Sequence, residues 1–282
     1  MIGRFLNYLH DLRDFQRINI ALSRGGAMML ARRIDLARPA TWEFSGFSQN
    51  GEDGILDVLR HRLANSNRYF IEIGAADGIE NNTAWLAVAE KYAGLMIEGD
   101  AKLAKRANRT VVAHCPGVEC RTIFASPRHA EELKSLALHL DPDVFSIDID
   151  GNDYYVAQSL LNSGFRPKIF VVEYNAVFGP VRPMTIEYED NFVFTNAHAT
   201  QLYYGASISG WRKLFSLHGY RFVTVDQNGV NAFFVDPSAF DGNFLNGIIG
   251  LDFAENRYQQ RKFRMTSDTQ FALIADRKFV EI

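Results

Sequence analysis

The fold is decided by the stretch Arg68-Tyr-Phe-Ile-Glu-Ile-Gly-Ala-Ala-Asp-Gly-Ile-Glu-Asn-Asn-Thr83. Residues 69–73 are a short apolar run interrupted only by Glu72, which is typical of a buried parallel strand. The run ends at Gly74, and Gly78 follows within one turn. Glycine lets the backbone approach a ligand closely and adopt φ values that other residues resist. The stretch therefore predicts a strand and a turn that open a ligand crevice at the carboxyl edge of an α/β sheet.

The charge of this turn indicates which ligand it suits. The segment 74–78 lacks the second and third glycines of the dinucleotide fingerprint, and Glu72 and Asp77 would repel a pyrophosphate. A helical pattern begins behind Asn81, Asn82 and Thr83, which are all plausible N-cap residues. Acidic residues suit a cationic, hydroxyl-rich ligand such as S-adenosylmethionine, which has an α-amino group, a sulfonium centre and a ribose diol. An ordinary α/β turn is the alternative.

A second apolar strand, residues 93–100, supports the same ligand. It carries Glu98 about 20 residues beyond the first turn, the separation at which such folds place an acid on the ribose hydroxyls. An ordinary strand-end carboxylate is the alternative. The residues expected to contact S-adenosylmethionine are Ser48, Glu72, Gly74, Ala75, Asp77, Gly78, Asn82, Thr83, Glu98, Gly99 and Asp148.

Composition limits the classes of protein that fit. The chain has 282 residues, of which 47% are hydrophobic and 22% charged, so it suits one large α/β domain with extensions or two small domains. A formal net charge of −3 argues against a nucleic-acid partner. Cys115 and Cys120 are the only cysteines, which gives neither a disulfide framework nor a zinc site. No apolar run is long enough to span a bilayer, and we expect a cytoplasmic protein.

The N-terminal part reads as a helical extension. Residues 1–44 carry apolar side chains at helical spacing, and Gly25-Gly26 is expected to break the helix. We expect the extension to pack on the domain or on a second subunit, which would make a homo-oligomer. The next helix opens at residues 47–54, where Ser48 or Asn50 can cap it and border the crevice.

Strands alternate with helices across residues 69–175, which predicts a parallel sheet with right-handed crossovers. The third strand is expected at residues 110–114. Two β-rich runs, 220–226 and 230–236, flank Gln-Asn-Gly and predict an antiparallel hairpin. A mostly parallel sheet that ends in such a hairpin is the Rossmann-like fold of class I methyltransferases.

Five motifs then carry a family resemblance: Phe47-Ser-Gln-Asn-Gly-Glu-Asp-Gly54, Glu72-Ile-Gly-Ala-Ala-Asp-Gly78, Ile97-Glu98, Ser146-Ile-Asp-Ile-Asp-Gly-Asn-Asp153 and Val172-Glu-Tyr-Asn175. In this order they resemble the FkbM-type S-adenosylmethionine-dependent methyltransferases, over about residues 45–236. The resemblance implies a class I fold and O-methylation of sugars or other hydroxyl groups in glycan, polysaccharide and natural-product pathways. Residues 1–44 and 237–282 lie outside it, and we expect the second of these segments to pack on the domain.

Acids and an amide follow two neighbouring strands of the predicted sheet. Asp148, Asp150 and Asp153 leave the fourth strand, and Glu173 and Asn175 leave the fifth. Alternate residues share a face of a strand, so Asp150, Glu173 and Asn175 could form an all-oxygen site for Mg²⁺ or Mn²⁺. The arrangement is similar to that of metal-dependent O-methyltransferases. A set of turn and capping acids is the alternative.

The long connection 176–206 predicts an active-site lid or substrate-binding insert. Its aromatic residues suit sugar rings, and a nucleotide-sugar is one candidate among small-molecule or glycan acceptors. His198 is the best candidate for a general base, although a structural role fits it as well. Asp150 and Asp153 are the other expected catalytic groups. Two rival classes remain at this stage, a catalytically silent scaffold and an NAD-dependent oxidoreductase.

Overall fold

The computed structural model describes the backbone of residues 2–282 and the side chains of residues 12–282. The helices are α1 (Ile2–Ala31), α2 (Glu52–Arg60), α3 (Ala84–Val88), α4 (Ala101–Ala107), α5 (Ala130–Leu136), α6 (Asp153–Ser163), α7 (Phe194–Ala197), α8 (Ile208–Leu217), α9 (Gly242–Gly247), α10 (Arg257–Phe263) and α11 (Ser267–Ala272). The strands are β1 (Tyr69–Ile73), β2 (Ala93–Glu98), β3 (Val118–Thr122), β4 (Val144–Ile147), β5 (Ile169–Glu173), β6 (Met184–Ile186), β7 (Arg221–Val225), β8 (Asn231–Val235) and β9 (Phe279–Glu281).

Seven strands form one sheet in the order β3-β2-β1-β4-β5-β8-β7. The first five strands in this order are parallel, and the hairpin β7–β8 joins β5 antiparallel. This order confirms the predicted Rossmann-like sheet with its terminal hairpin. Because β1 has β2 on one side and β4 on the other, the chain reverses direction across β1 and opens a crevice at the carboxyl ends of β1 and β4.

The strands form because nearly continuous apolar runs are buried by helices on both faces of the sheet. Phe70 on one face and Phe145 and Phe170 on the other are fully buried, in two separate hydrophobic clusters. Burying one such ring contributes about 2 kcal/mol, so a polar side chain within a strand is costly unless it has a partner. The core therefore fixes the strand ends, which carry the acids.

The third strand does not lie at residues 110–114 as predicted. Residues 108–112 instead form a π-helical turn that continues α4, and the strand is β3. Thr110 Oγ1 donates a hydrogen bond to the Arg106 carbonyl at 2.9 Å, and Val111 is buried in the core. The β-branched run therefore serves as a helical packing surface.

The expected helix break at Gly25-Gly26 is also wrong, because α1 continues to Ala31. A Cβ added at Gly25 would lie 2.4 Å from Cζ3 of Trp85, so this glycine lets α1 pass close to α3. Arg32, just after α1, forms a buried ion pair with Asp57 of α2. The described part of the extension thus packs on the chain's own domain. In the described span 2–282, no helix combines the length and apolar character needed to cross a membrane.

The insert 176–206 is ordered and joins the C-terminal segment. Strand β6 pairs antiparallel with β9, from Met184↔Glu281 to Ile186↔Phe279. A third hydrophobic cluster unites the two segments, with Ile274 buried among the insert's aromatic rings. The insert is therefore a small packed unit that stands over the carboxyl edge of the sheet.

Candidate functional site

Two cavities open at the carboxyl edge of the sheet and share Gly74, Asp148 and Asp150. The first, here called the acidic cavity, is about 230 Å³; its polar lining includes Ser48, Asn50, Glu52, Glu72, Glu80, Asn82, Asp148, Asp150, Glu173 and Asn231. The second, here called the apolar cavity, is about 550 Å³; its lining includes Ile97, Glu98, Gly99, Leu103, Ile123, Phe124, Asn152, Phe192, Val193 and Phe194. Their shared wall lets one elongated ligand extend from the apolar cavity into the acidic one.

Gly74 forms this shared wall and has a positive φ of 91°. A Cβ at this position would lie 1.7 Å from the Asp148 carbonyl oxygen, so only glycine allows the turn after β1 to press against the end of β4. The amide nitrogens of Gly74 and Ala75 donate hydrogen bonds to the Ile97 carbonyl at 2.9 and 3.0 Å. The turn is thus held between both neighbouring strands.

Glu98 is fixed in the wall of the apolar cavity. Its Oε2 accepts a hydrogen bond from the Ala76 amide and its Oε1 accepts one from the Asp100 amide, both at 2.7 Å. Each oxygen keeps a lone pair for a further donor. Leu103 and Phe124 add apolar surface nearby. The cavity therefore offers a rigid carboxylate beside a slot for a flat ring.

Glu72 is buried beneath the acidic cavity and 1% exposed. Burial raises the pKa of Glu72 to about 7 and outweighs the neighbouring hydrogen-bond donors that lower it. Its Oε2 has no hydrogen-bond partner in the described structure. Asn82 reaches the same cavity and donates to Ser146 Oγ at 3.1 Å, whereas Thr83 lies below it, fully buried. The N-cap residue of α3 is Thr83, and Asn81 Oδ1 accepts from the Thr83 and Ala84 amides at 3.1 and 2.8 Å.

The structure does not bring Asp77 to either cavity, which corrects the predicted cofactor contact. Asp77 Oδ2 lies 2.5 Å from Arg17 Nη1 and 3.3 Å from Arg106 Nη1. It thus ties the turn to α1 and α4. Ala75 is fully buried, and Gly78 has a φ of 80° and packs against Ala107, so neither lines a cavity.

Three acids meet where the two cavities join. One carboxylate oxygen each of Asp148, Asp150 and Glu173 lies within 4.8 Å of the others. Burial and then mutual repulsion raise the pKa of Asp148 and of Glu173 well above the usual range. Burial and then repulsion from Asp153 raise the pKa of Asp150 to about 6. The repulsion between these three carboxylates is relieved when a cation binds them or when they share protons.

Asn175 is not part of this cluster, so the predicted metal ligands need correction. Its Nδ2 donates to the carbonyls of Leu202 and Tyr204 at 2.8 and 3.0 Å, and its Oδ1 accepts from the Val177 amide at 3.1 Å. The side chain is therefore committed to anchoring the insert. Asp148, predicted as a cofactor contact, takes its place among the acids.

Asp153 is 1% exposed and does not line a cavity, which corrects its predicted catalytic role. Its Oδ1 accepts from the Ile149 amide at 2.8 Å and its Oδ2 accepts from the Gly151 amide at 2.7 Å. These bonds hold the loop in which Asp150 adopts a positive φ of 52°. Asp153 thus positions Asp150. It is the first residue of α6, whose N-cap is Asn152, so the alternative of Asp153 as an N-cap is wrong.

His198 lies outside both cavities, so the structure does not support it as a general base. Its Nδ1 is 2.8 Å from Thr200 Oγ1, which fits the structural alternative. Ser48 does reach the acidic cavity, and its Oγ accepts from the Asp53 amide at 3.0 Å. The N-cap of α2 itself is Gly51, which has a φ of 103°.

Sequence reasoning missed Glu52 and Asn231 as cavity residues. Glu52 reads as a favourable first-turn acid, although it stands inside the motif at residues 47–54. Asn231 is the first residue of β8, and no local signal marks it. It faces the cavity because β8 pairs with β5, where Glu173 is its register partner.

The strand order and the crevice with its two cavities define a class I methyltransferase fold, and this is the structural class of the chain. No family model and no curated protein matches the chain, so the FkbM resemblance stays a prediction from its motifs.

Solved structures share parts of the fold. An O-methyltransferase from Bacillus cereus in complex with SAH is 17% identical, with a TM-score of 0.44 over 78% of this chain and 89% of that one. The fibrillarin of Aeropyrum pernix with bound S-adenosyl-L-methionine is 12% identical, with a TM-score of 0.39 over 61% of this chain and 67% of that one. A Podospora anserina methyltransferase bound to SAH is also 12% identical, with a TM-score of 0.39 over 60% and 71%. The class assignment rests on the strand order itself.

Proposed function

We propose that this protein is an S-adenosylmethionine-dependent O-methyltransferase that acts on a hydroxyl group of a sugar, glycan or natural-product acceptor. The observation that carries this proposal is the junction at Gly74, where a slot with the fixed carboxylate of Glu98 meets a cavity lined by acids. A ligand with a flat base, a diol and a positively charged tail fits the apolar cavity, the Glu98 carboxylate and the acidic cavity in that order.

The cofactor's parts can be matched to the two cavities. Adenine would lie in the apolar cavity beside Leu103 and Phe124, and the ribose diol would donate to Glu98. The methionine part would cross Gly74 into the acidic cavity, where the unpartnered Oε2 of Glu72 suits the α-amino group. A phosphate-bearing dinucleotide lacks this match, because Glu72 and Asp148 would repel it.

The acid cluster also fits a divalent metal. Asp148, Asp150 and Glu173 supply three carboxylate oxygens within 4.8 Å of one another, and hard oxygen ligands are those that Mg²⁺ and Mn²⁺ prefer. Such an ion, when bound, lowers the pKa of a hydroxyl group that it coordinates. The Tyr204 hydroxyl accepts a hydrogen bond from Gln259 Nε2 at 3.1 Å, and Tyr204 lowers the pKa of Glu173 against the raising effects of burial and repulsion.

The protein's own contribution to methyl transfer would be alignment. Transfer from a sulfonium is an in-line displacement, so fixing the acceptor oxygen opposite the methyl group supplies much of the acceleration. The short turn held by Asp153 fixes Asp150, and the insert brings Phe192 and Phe194 over the apolar cavity, where they exclude water. Aromatic faces of this kind also suit the apolar face of a sugar ring.

Calorimetry with S-adenosylhomocysteine tests the cofactor assignment. Binding that is lost in Glu98→Ala and kept in the matched variant Glu119→Ala, an exposed acid on β3, supports the proposal. Binding of NAD instead would indicate an oxidoreductase, and binding of neither a silent scaffold. The reaction itself is tested with labelled methyl donor and a panel of nucleotide-sugars. EDTA and Asp150→Ala should each abolish label transfer while donor binding remains.

A further inference from the structure

The acidic cavity has a second wall, formed by the start of α2 and the start of β8. Glu52 is 1% exposed and Asn231 is 2% exposed, and both line the cavity. Asn231 Nδ2 donates to Glu52 Oε1 at 2.7 Å, which fixes the orientation of the amide. Asn231 Oδ1 is then left buried, without a hydrogen-bond partner among the described residues. Asn231 lines the cavity, so a donor on a ligand that enters it could satisfy this buried acceptor.

The charge of this wall is also uncompensated. Glu52 accepts only from neutral donors: the Asn50 amide at 2.6 Å, Asn50 Nδ2 at 3.0 Å and the side chain of Asn231. Within the described residues, no lysine, arginine or histidine lines the acidic cavity. The wall therefore offers negative charge and a free acceptor, and no positive side chain among the described lining residues compensates them.

This wall stands beside the place proposed for the reacting hydroxyl. Asn231 and Glu173 are register partners in the antiparallel pair β5–β8, and Glu173 belongs to the acid cluster with Asp148 and Asp150. Directly opposed residues in such a pair are about 5 Å apart at their Cα atoms. Glu72, proposed to meet the cofactor's amino group, comes from β1, which is separated from β8 by β4 and β5. The two positive groups would therefore occupy different sides of the cavity.

We infer that the methyl acceptor carries an ammonium group close to the hydroxyl that is methylated, as in an amino sugar or an amino alcohol. Its N–H groups bind Asn231 Oδ1, and its charge faces Glu52. This inference rests on the proposed function and narrows its substrate class. A neutral polyol could use the acceptor atom but would leave the charge of Glu52 unmet.

D-Glucosamine and D-glucose are the probes that test this. Their dissociation constants would be measured by titration followed by NMR on the full chain, saturated with S-adenosylhomocysteine and Mg²⁺, at a pH where the amine is protonated. One added charge-assisted hydrogen bond lowers a dissociation constant about tenfold, so glucosamine should bind about tenfold more tightly than glucose. Equal affinities would overturn the inference.

Three variants locate the effect. Asn231→Ala and Glu52→Gln should each bring the ratio of the glucose dissociation constant to the glucosamine dissociation constant close to one. Glu43→Gln should leave it unchanged, because Glu43 binds Gln227 and does not line the cavity. A preference that survives in both cavity variants places the amine elsewhere and refutes the assignment. Calorimetry on wild-type protein free of S-adenosylhomocysteine separates the two claims: absence of S-adenosylhomocysteine binding refutes the proposed function, whereas normal binding with no amine preference refutes only this inference.

Discussion

Removing one charge from the acid cluster should stabilise the metal-free protein while it removes metal binding. Asp148, Asp150 and Glu173 hold carboxylate oxygens within 4.8 Å of one another, where two unit charges repel by about 3 kcal/mol at an effective dielectric constant of 20. Asp148→Asn keeps the shape of the side chain and abolishes its charge. Since solvent and relaxation weaken the repulsion, we expect the free energy of unfolding at pH 8 to rise by about 1–3 kcal/mol.

The sign of the pH dependence follows from the raised pKa values. An acid whose pKa is higher in the folded state than in the unfolded state makes the protein less stable as pH rises above the unfolded value. The pKa of Asp150 is raised to about 6 and that of Asp148 well above its ordinary value, so the repulsion destabilises the folded protein more at pH 8 than near pH 4. The gain in the free energy of unfolding of Asp148→Asn over the wild type should therefore be smaller near pH 4 than at pH 8.

Urea unfolding in EDTA at both pH values measures the effect. The control is Asp141→Asn, an exposed acid near the opposite end of β4, which should change stability by less than about 0.5 kcal/mol. Mg²⁺ should stabilise the wild type but not Asp148→Asn. If the variant is less stable than the wild type at pH 8 without metal, Asp148 has structural partners and the reasoning about repulsion fails.

Three further outcomes follow from the structure. Gly74→Ala should abolish S-adenosylhomocysteine binding in calorimetry, because its Cβ would meet the Asp148 carbonyl oxygen at 1.7 Å; unchanged affinity would contradict the geometry. Asp77→Asn should lower the free energy of unfolding by about 2 kcal/mol, because it breaks the pairing with Arg17, and a loss of ligand affinity alone would count against that role. Glu43→Gln should raise stability at pH 8 by about 1 kcal/mol and not at pH 4, since half-burial raises the pKa of Glu43 to about 7; urea titrations at the two pH values decide it.

The buried parallel strands could be predicted from sequence because a short apolar run between turn residues forms few structures other than a buried strand. The edge strand β3 could not, since one of its faces meets solvent: Val118 and Cys120 are buried, whereas Glu119 and Arg121 are exposed. Its alternating sequence is less apolar than residues 110–112, which pack as a helical turn. The need for a glycine at position 25 could not be predicted either. It arises from the side chain of Trp85, which α1 passes closely, and not from the sequence of α1 itself.

The site was predictable to the extent that parallel strands bring their carboxyl ends to one edge. That rule placed Asp148, Asp150 and Glu173 together. It could not tell which side chains remain free, because this depends on segments far away in sequence. Asn175 donates hydrogen bonds to carbonyls of the insert, and Asp77 forms an ion pair with Arg17 of α1.

The pairing of β6 with β9 has a consequence for the order in which the molecule is finished during its synthesis. Residues 279–281 hold the insert through Phe279, whose ring contacts Tyr203, and Tyr203 in turn contacts Phe192 over the apolar cavity. The ribosome must therefore deliver residues 279–281 before this wall can close. A nascent chain whose sheet is already folded would still have the apolar cavity open to water on this side until β9 is translated.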